Sequence, residues 1–526
     1  MEAFRSHYDV AVVGAGPTGC VTAIAHARRG ARVLLLEASP SACCRFAGEW
    51  LHPPGAAVLG RLGITPLEHA ARHEACRGFV VFPDDGSDAV VLPYANHALG
   101  ISAEHELLVD ELRCHVQAES GIDYRPYCRV EAVQAPRLKV VTRTPRRSHE
   151  VQACRIVGAE GRNSVVRQSL GLSSDSQVMS YMAGVDLLDV EMPFEGYGHV
   201  IVGAPGPMLL YRVGPRLVRA CIDLPAPYAH LRRDLHKVWD VFGPHLPSSL
   251  QEPFRQALQV RQVAWAASRF RPRACYGLGE VAMVGDAVGH FHPLTASGMT
   301  IGFLDAETLA RSPDVASYAR EREGKTYVSE LLASALYQVV IHTDETAGAI
   351  RQAIYSTWRQ SQAERERTMR ILAGEETRPW AFGAAFARVA GQALVEGVDD
   401  AHLRAQQPQP AQSRWPAPAL QAALGGAQRA RDLWAWSHWP LASLLPRSVR
   451  TRCRPGSLPH NPLGARLGRW LPGPTQDAAS QVADVVGCAS AVLSASAARS
   501  QHEVLAQSLE QRCVLLAQDA RRDATT

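Results

Sequence analysis

Two glycine-bearing turns, far apart in the chain, carry residue types suited to a phosphorylated, hydroxyl-bearing ligand. The first is Gly14-Ala15-Gly16-Pro17-Thr18-Gly19. Gly14 suits a tight turn, Gly16 lets a pyrophosphate approach the backbone, and Gly19 lets a helix pack closely on a strand. Glu37, further on, could hold ribose hydroxyls. The second turn is Gly285-Asp286-Ala287, followed by His292-Pro293-Leu294-Thr295 and Gly298-Met299-Thr300. Asp286 could accept hydrogen bonds from a ribityl or ribose hydroxyl. Gly298 lets backbone N–H groups come close to a ligand, and a helix N-terminus there favours an anion or an electron-rich ring edge.

The flanking segments place both turns. Tyr8–Val13 is a β-branched apolar run that predicts a parallel strand. The run from Cys20 to Gly30 predicts a helix, and Ala31–Leu36 a second strand ending at Glu37. This is the dinucleotide fingerprint in its proper setting. Glu280–Val284 predicts a buried strand and Ile301–Ala310 a helix, so the second turn is also a strand–turn–helix unit. A site begun near residue 8 and completed near residue 286 wraps an extended ligand, which fits FAD better than NAD.

Between the turns, the stretch Arg45-Phe46-Ala47-Gly48-Glu49 precedes a helix reaching Gly63. Arg45 could pair with a phosphate or a flavin edge, or lie on the surface. Phe79–Phe82 and Ala89–Tyr94 predict strands around an Asp-Gly turn. Tyr94, just past Pro93, belongs to the core, the surface or a pocket. Glu104–Glu119 predicts a helix with Leu107, Leu108, Leu112 and Val116 on one face, and Arg113 at that stripe's edge is ligand-facing or solvated. Arg129–Val133 with Lys139–Thr142 predicts a hairpin. Arg155–Arg167 holds another strand and Gly turn, at Glu160-Gly161. From about 176 to 270, strands at 199–202, 208–213 and 217–222 alternate with Gly/Pro turns and predict an antiparallel sheet walling a substrate chamber.

The chain has 526 residues, 46% hydrophobic and 20% charged, with a net charge of +4. That length exceeds one core, and the small net charge argues against nucleic-acid binding. The twelve cysteines include no C-x-x-C pair, which argues against a disulfide framework and a metal site. No signal peptide and no long uncharged apolar run is legible, so a cytoplasmic protein is expected. The expected class is α/β. A discontinuous FAD-binding Rossmann-like domain (1–175 and 275–325) carries an inserted antiparallel-sheet substrate domain (176–274, with residues near 77–100). A helical region (326–400) and a basic, Trp-containing tail (401–526) follow. Between Arg404 and Arg469 the tail has ten arginines against the single acid Asp432, with Trp415, Trp434, Trp436 and Trp439 among them and Trp470 after. It suits a peripheral membrane interface, or a poorly ordered tail, or a helix packed on the body.

With these pieces in order, the chain resembles the squalene monooxygenase (squalene epoxidase) family of single-fingerprint flavoprotein monooxygenases over residues 8 to 400. Gly285-Asp286-Ala287 with His292-Pro293-Leu294-Thr295 and Gly298-Met299-Thr300 is similar to that family's GD motif. Arg45-Phe46-Ala47-Gly48-Glu49 with Pro53 is similar to its R-x-x-G-E-x-x-x-P segment. The resemblance implies FAD contacts from Pro17, Thr18, Glu37, Arg45, Arg113, the backbone of Val130, Asp286 and Met299, and it makes Tyr94 the active-site tyrosine. It implies NADPH as electron donor, directly or through a partner reductase, an apolar substrate, and sterol or terpenoid biosynthesis. Polarised N–H groups from Pro293 to Gly298 could stabilise charge on the flavin ring. Three departures stand out: Glu160-Gly161 replaces Asp-Gly, His52 replaces a glutamine, and Ala296-Ser297 replaces a Gly pair. The alternatives are a flavin hydroxylase of an aromatic or polyketide substrate and a non-catalytic prenyl-binding escort protein.

Overall fold

A computed structural model describes residues 3–43, 46–64, 73–173, 176–260 and 263–406. Arg45 and the tail beyond 406 with its five tryptophans lie outside the described residues. The described chain divides into two units. The first comprises Met1–Ile341 with Gln362–Arg378, and the second His342–Ser361 with the residues from Pro379.

An eight-stranded sheet organises the first unit. Tyr8–Val13 lies between Val33–Glu37 and Arg146–Gly158, all parallel, and Arg146–Gly158 pairs in parallel with Val281–Met283. The register aligns Val13 with Leu36 and Gly158, and Gly158 with Met283. The residues that follow these strands therefore leave from one sheet edge: Gly14, Glu37, Ala159-Glu160 and Val284-Gly285-Asp286. Ligands of open α/β sheets bind at that carboxyl edge. These strands are buried on both faces, which is why they read as continuous apolar runs. Helices Pro17–Ala27 and Gly298–Arg311 pack on each other beside the sheet.

A seven-stranded sheet stands where the antiparallel sheet was expected. Its order is Val263–Phe270, Gln177–Leu188, Leu217–Pro225, Met208–Gly214, Tyr197–Ile201, Gly78–Phe82 and Val90–Pro93. Every pair is antiparallel except Tyr197–Ile201 with Gly78–Phe82. The strand pattern from 176 to 270 left out two helices, Leu235–Phe242 and Ser248–Gln259. They bury Val238, Phe242, Leu250, Phe254 and Leu258 in the core of this sheet. Their i, i+4 apolar spacing was present in the sequence but short.

The helical region expected from 326 begins earlier, with a helix that runs unbroken from Val315 to Ile341. In the second unit Glu345–Gln360 packs on Pro379–Gln406. No helix among the described residues is long and apolar enough to cross a membrane.

Candidate active site

The fingerprint turn is shaped by backbone. Gly14 has φ +99°, and a Cβ there would lie 2.8 Å from the Ala159 carbonyl oxygen. Gly16 caps helix Pro17–Ala27 without a side-chain hydrogen bond, and open space lies where its Cβ would be. Free N–H groups and the helix dipole face that space. Glu37 accepts the Ala15 N–H at 2.8 Å and the Ser39 N–H at 2.8 Å. Arg113, buried, donates to the Ala15 carbonyl at 3.0 Å and the Pro40 carbonyl at 2.6 Å, with Glu37 3.7 Å away. The structure thus brings Arg113 and Glu37 to the fingerprint turn. Val130 lies in strand Cys128–Gln134, whose other edge has no strand partner among the described residues.

Thr18 joins the two turns. Its hydroxyl lies 2.4 Å from where a Cβ on Gly302 would sit and 3.0 Å from one on Gly285. Only glycine permits this approach at Gly302. Asp286 is half-exposed and sits 3.4 Å from the Arg162 guanidinium. Gly298 opens helix Gly298–Arg311, whose N-cap Ser297 gives it no side-chain bond. The Ser297 hydroxyl turns instead to Thr295 at 2.9 Å. Met299 packs against Gly48, and Pro293 begins the one-turn helix Pro293–Thr295.

Buried polar groups hold this second loop. Asp305 accepts from the Gly285 N–H at 2.9 Å, from Arg322 at 2.7 Å and from Arg273. Arg273 also donates to the Gly285 and Gly289 carbonyls at 2.9 and 3.0 Å. The Leu294 N–H donates to Nδ1 of His292, which leaves the imidazole proton on Nε2, 3.1 Å from Asp223. Ser180 and Tyr337 also donate to Asp223, and the Tyr337 ring stacks on His292 at 3.8 Å. Every polar atom of this buried cluster has a partner.

Tyr94 is buried, and its hydroxyl closes a chain. Trp50 Nε1–H donates to it at 3.0 Å. His52 Nε2–H donates to the Thr295 carbonyl at 2.8 Å, and burial lowers the His52 imidazole to about 4. Nδ1 is then an acceptor, so the Tyr94 hydroxyl donates to it at 2.6 Å. His52, which replaces the family's glutamine, thus links Tyr94 to the second loop. Sequence reasoning flagged the departure but had no signal for its partners. It also gave no signal for the pairing of Glu49 with Arg219, at 2.9 and 3.0 Å, which ties the 46–50 segment to the large sheet.

Glu160 has a local task. It accepts from Ser164 Oγ at 2.7 Å and from the Val166 N–H at 3.1 Å, while Ser164 caps Arg167. Burial raises its carboxyl above the ordinary range. The extra methylene relative to aspartate is used to cap helix Val165–Ser169.

These features fit FAD. Two uncapped helix N-termini lead from the glycine turns, and two carboxylates, Glu37 and Asp286, stand at the carboxyl ends of two strands of one sheet. Residues 152–405 match the family model for squalene epoxidase, and residues 12–58 that for an NAD(P)-binding Rossmann-like domain. Squalene epoxidase erg1 of Aspergillus fumigatus is 29% identical over 380 residues, covering 67% of this chain and 79% of that protein. Squalene epoxidase erg1 of Schizosaccharomyces pombe is 25% identical over 397 residues, covering 70% and 87%. In fold, the chain is similar to pqsL, a probable FAD-dependent monooxygenase from Pseudomonas aeruginosa. That likeness has a TM-score of 0.53 at 18% identity, over 69% of this chain and 99% of that one. The shared motifs, the joined turns and these matches make the chain similar to the squalene monooxygenase (squalene epoxidase) family and support an FAD-dependent monooxygenase with NAD(P)H as its electron donor.

Proposed function

We propose that this chain inserts one oxygen atom of O2 into a carbon–carbon double bond of an apolar alkene. Squalene, named by its fungal relatives, is the first candidate. The observation that carries the reading is the seating of Thr18 against Gly285 and Gly302, which unites the two halves of the cofactor site. Reduced FAD supplies the oxygen activation. The chain binds and orients.

Gly14, Gly16, Pro17, Thr18 and Gly19 receive the pyrophosphate, and Glu37 and Asp286 the hydroxyls. Arg45, Arg113 and the Val130 backbone complete that half. Pro293, Gly298 and Met299 face the ring, where uncapped N–H groups stabilise negative charge. Tyr94 is a positioning residue, because its proton is committed to His52. The aromatic cluster around it, with Trp50 and Phe79 at 4.8 Å and Trp50 and Tyr211 at 5.6 Å, supports an apolar, water-poor wall. The basic, Trp-rich tail suits a peripheral membrane contact, where such a substrate dissolves, and a reductase is a further partner in this reading.

The test is incubation of the FAD-loaded protein with NADPH, or with NADPH and a flavin reductase, and squalene, followed by mass spectrometry. A single added oxygen in an epoxide is the expected product. Ring hydroxylation of an aromatic panel with no epoxide from any polyene would replace this reading with the hydroxylase one.

A further inference from the structure

Among the described residues, one group of three side chains has the types and the spacing to hold a metal ion: His7, Asp9 and Cys154. One ligand atom from each lies within 4.8 Å of the other two. His7 Nε2 is 3.1 Å from Cys154 Sγ. The sheet explains the meeting. Strand Tyr8–Val13 runs parallel to Arg146–Gly158, with Tyr8 opposite Ala153 and Val10 opposite Arg155. Asp9 therefore stands beside Cys154, on the same face of the sheet. His7 lies just before the same strand. The residues are far apart in the chain, so no spacing in the sequence announces them. Cys154 is exposed, and His7 and Asp9 are half-buried, which leaves an ion a path from solvent. The group lies at the amino end of the first strand, whereas the fingerprint turn leaves its carboxyl end.

The donor set narrows the choice of ion. A thiolate and an imidazole suit Zn2+, while Mg2+ and Ca2+ take oxygen ligands. Tetrahedral zinc holds sulfur, nitrogen and oxygen ligands about 3.4–3.6 Å from one another. The side chains reach that spacing with shifts of about 1 Å, within the rotation open to an exposed cysteine. Charge balances as well, since a thiolate and a carboxylate offset the two positive charges and the imidazole binds neutral. Arg32 already orients the carboxylate. Asp9 Oδ2 accepts from the Arg32 backbone N–H at 2.8 Å and from its Nε at 3.1 Å, and Oδ1 accepts from its Nη2 at 3.0 Å. A carboxylate has about four acceptor sites, so Oδ1 keeps one for a metal. Hydrogen bonds of this kind fix ligating carboxylates.

We propose that His7 Nε2, Asp9 and Cys154 Sγ bind one Zn2+ ion, with water in the fourth position, as a clamp between the first strand and strand Arg146–Gly158. The ion replaces the hydrogen between sulfur and nitrogen: the Cys154 S–H bond breaks, the sulfur keeps the electron pair, and the proton leaves to solvent. The site is independent of the FAD-monooxygenase reading.

The full-length protein, stripped with EDTA under reducing conditions, is titrated with Zn2+ against a chromogenic chelator and with Co2+ followed by absorbance. One equivalent is expected at this site in wild type, and Co2+ is expected to give a thiolate-to-metal charge-transfer band. C154S, H7Q and D9N should each weaken Zn2+ binding roughly tenfold or more, and C154S should lose the band. C114S, which alters another exposed thiol, should behave as wild type. Saturating Zn2+ should raise the wild-type thermal midpoint by about 3 °C and leave that of C154S unmoved. Metal-free midpoints show which variants are folded, and the wild-type Co2+ band is read independently of them. Absence of that band, or wild-type Zn2+ affinity in folded C154S, H7Q or D9N, would overturn the proposal and leave an adventitious ion only.

Discussion

The turn after Tyr8–Val13 and the turn after Val281–Met283 leave the same edge of one sheet, yet they are held differently. The first depends on backbone shape and on neighbours close in sequence: Gly14 at φ +99°, helix Pro17–Ala27, and Glu37 bonded to Ala15 and Ser39. Arg113 is its main distant support. The second depends on buried side chains brought from far along the chain. Asp305 gathers two arginines, Asp223 and Tyr337 hold His292, and His52 reaches Thr295. One half of the site is thus a local fold unit, and the other is stable only once the large sheet and helix Val315–Ile341 are in place. A turn held from afar has more ways to fail, and it can be tuned by residues that never meet the ligand.

The largest effect should come from Asp305→Ala, which leaves Arg273 and Arg322 buried without their shared carboxylate. A stability loss of about 3–5 kcal/mol is expected in urea denaturation. A loss well below that would show that the second turn holds itself, and the contrast would break.

Acid comes next. His52 is fully buried with its imidazole lowered from the ordinary 6.5 to about 4. The unfolded chain takes up this proton first as pH falls, so the contribution is complete above about pH 6.5. It is lost between there and about pH 4, and amounts to about 3 kcal/mol for this one group. Denaturation midpoints across that window should fall in wild type and fall less in H52Q. Equal slopes would remove His52 as the link.

Gly14→Ala attacks the first turn. Forbidden φ and the contact with Ala159 should cost about 2 kcal/mol and weaken FAD binding, as measured by flavin titration. The smallest effect tests strain in the second turn. Ala296 has φ +50°, where alanine is strained and glycine is not. Ala296→Gly should stabilise by roughly 0.5 kcal/mol after the added unfolded-state entropy, visible as a small rise in thermal midpoint.

Much of the α/β architecture was legible because strands buried on both faces are apolar runs and the fingerprint spacing admits few other folds. Tyr8–Val13, Val33–Glu37 and the three central strands of the large sheet emerged close to their expected bounds. Helices Leu235–Phe242 and Ser248–Gln259 did not, since two or three apolar positions at helical spacing are weak against a background of Gly/Pro turns. At the site, Glu37 and Asp286 could be placed as carboxylates following apolar strands. The task of Glu160 could not, because an acid in a Gly turn serves a ligand or a helix cap equally well until Ser164 and Val166 are seen beside it.

The sequence by itself determined the cofactor class and the two turns that receive it, because backbone conformation and helix dipoles act over a few neighbouring residues. Only the tertiary structure decided that the Tyr94 hydroxyl donates its hydrogen bond to His52 and that Asp305 anchors Gly285. Those outcomes depend on atoms up to hundreds of residues apart meeting within hydrogen-bond distance, and no local pattern encodes such a meeting.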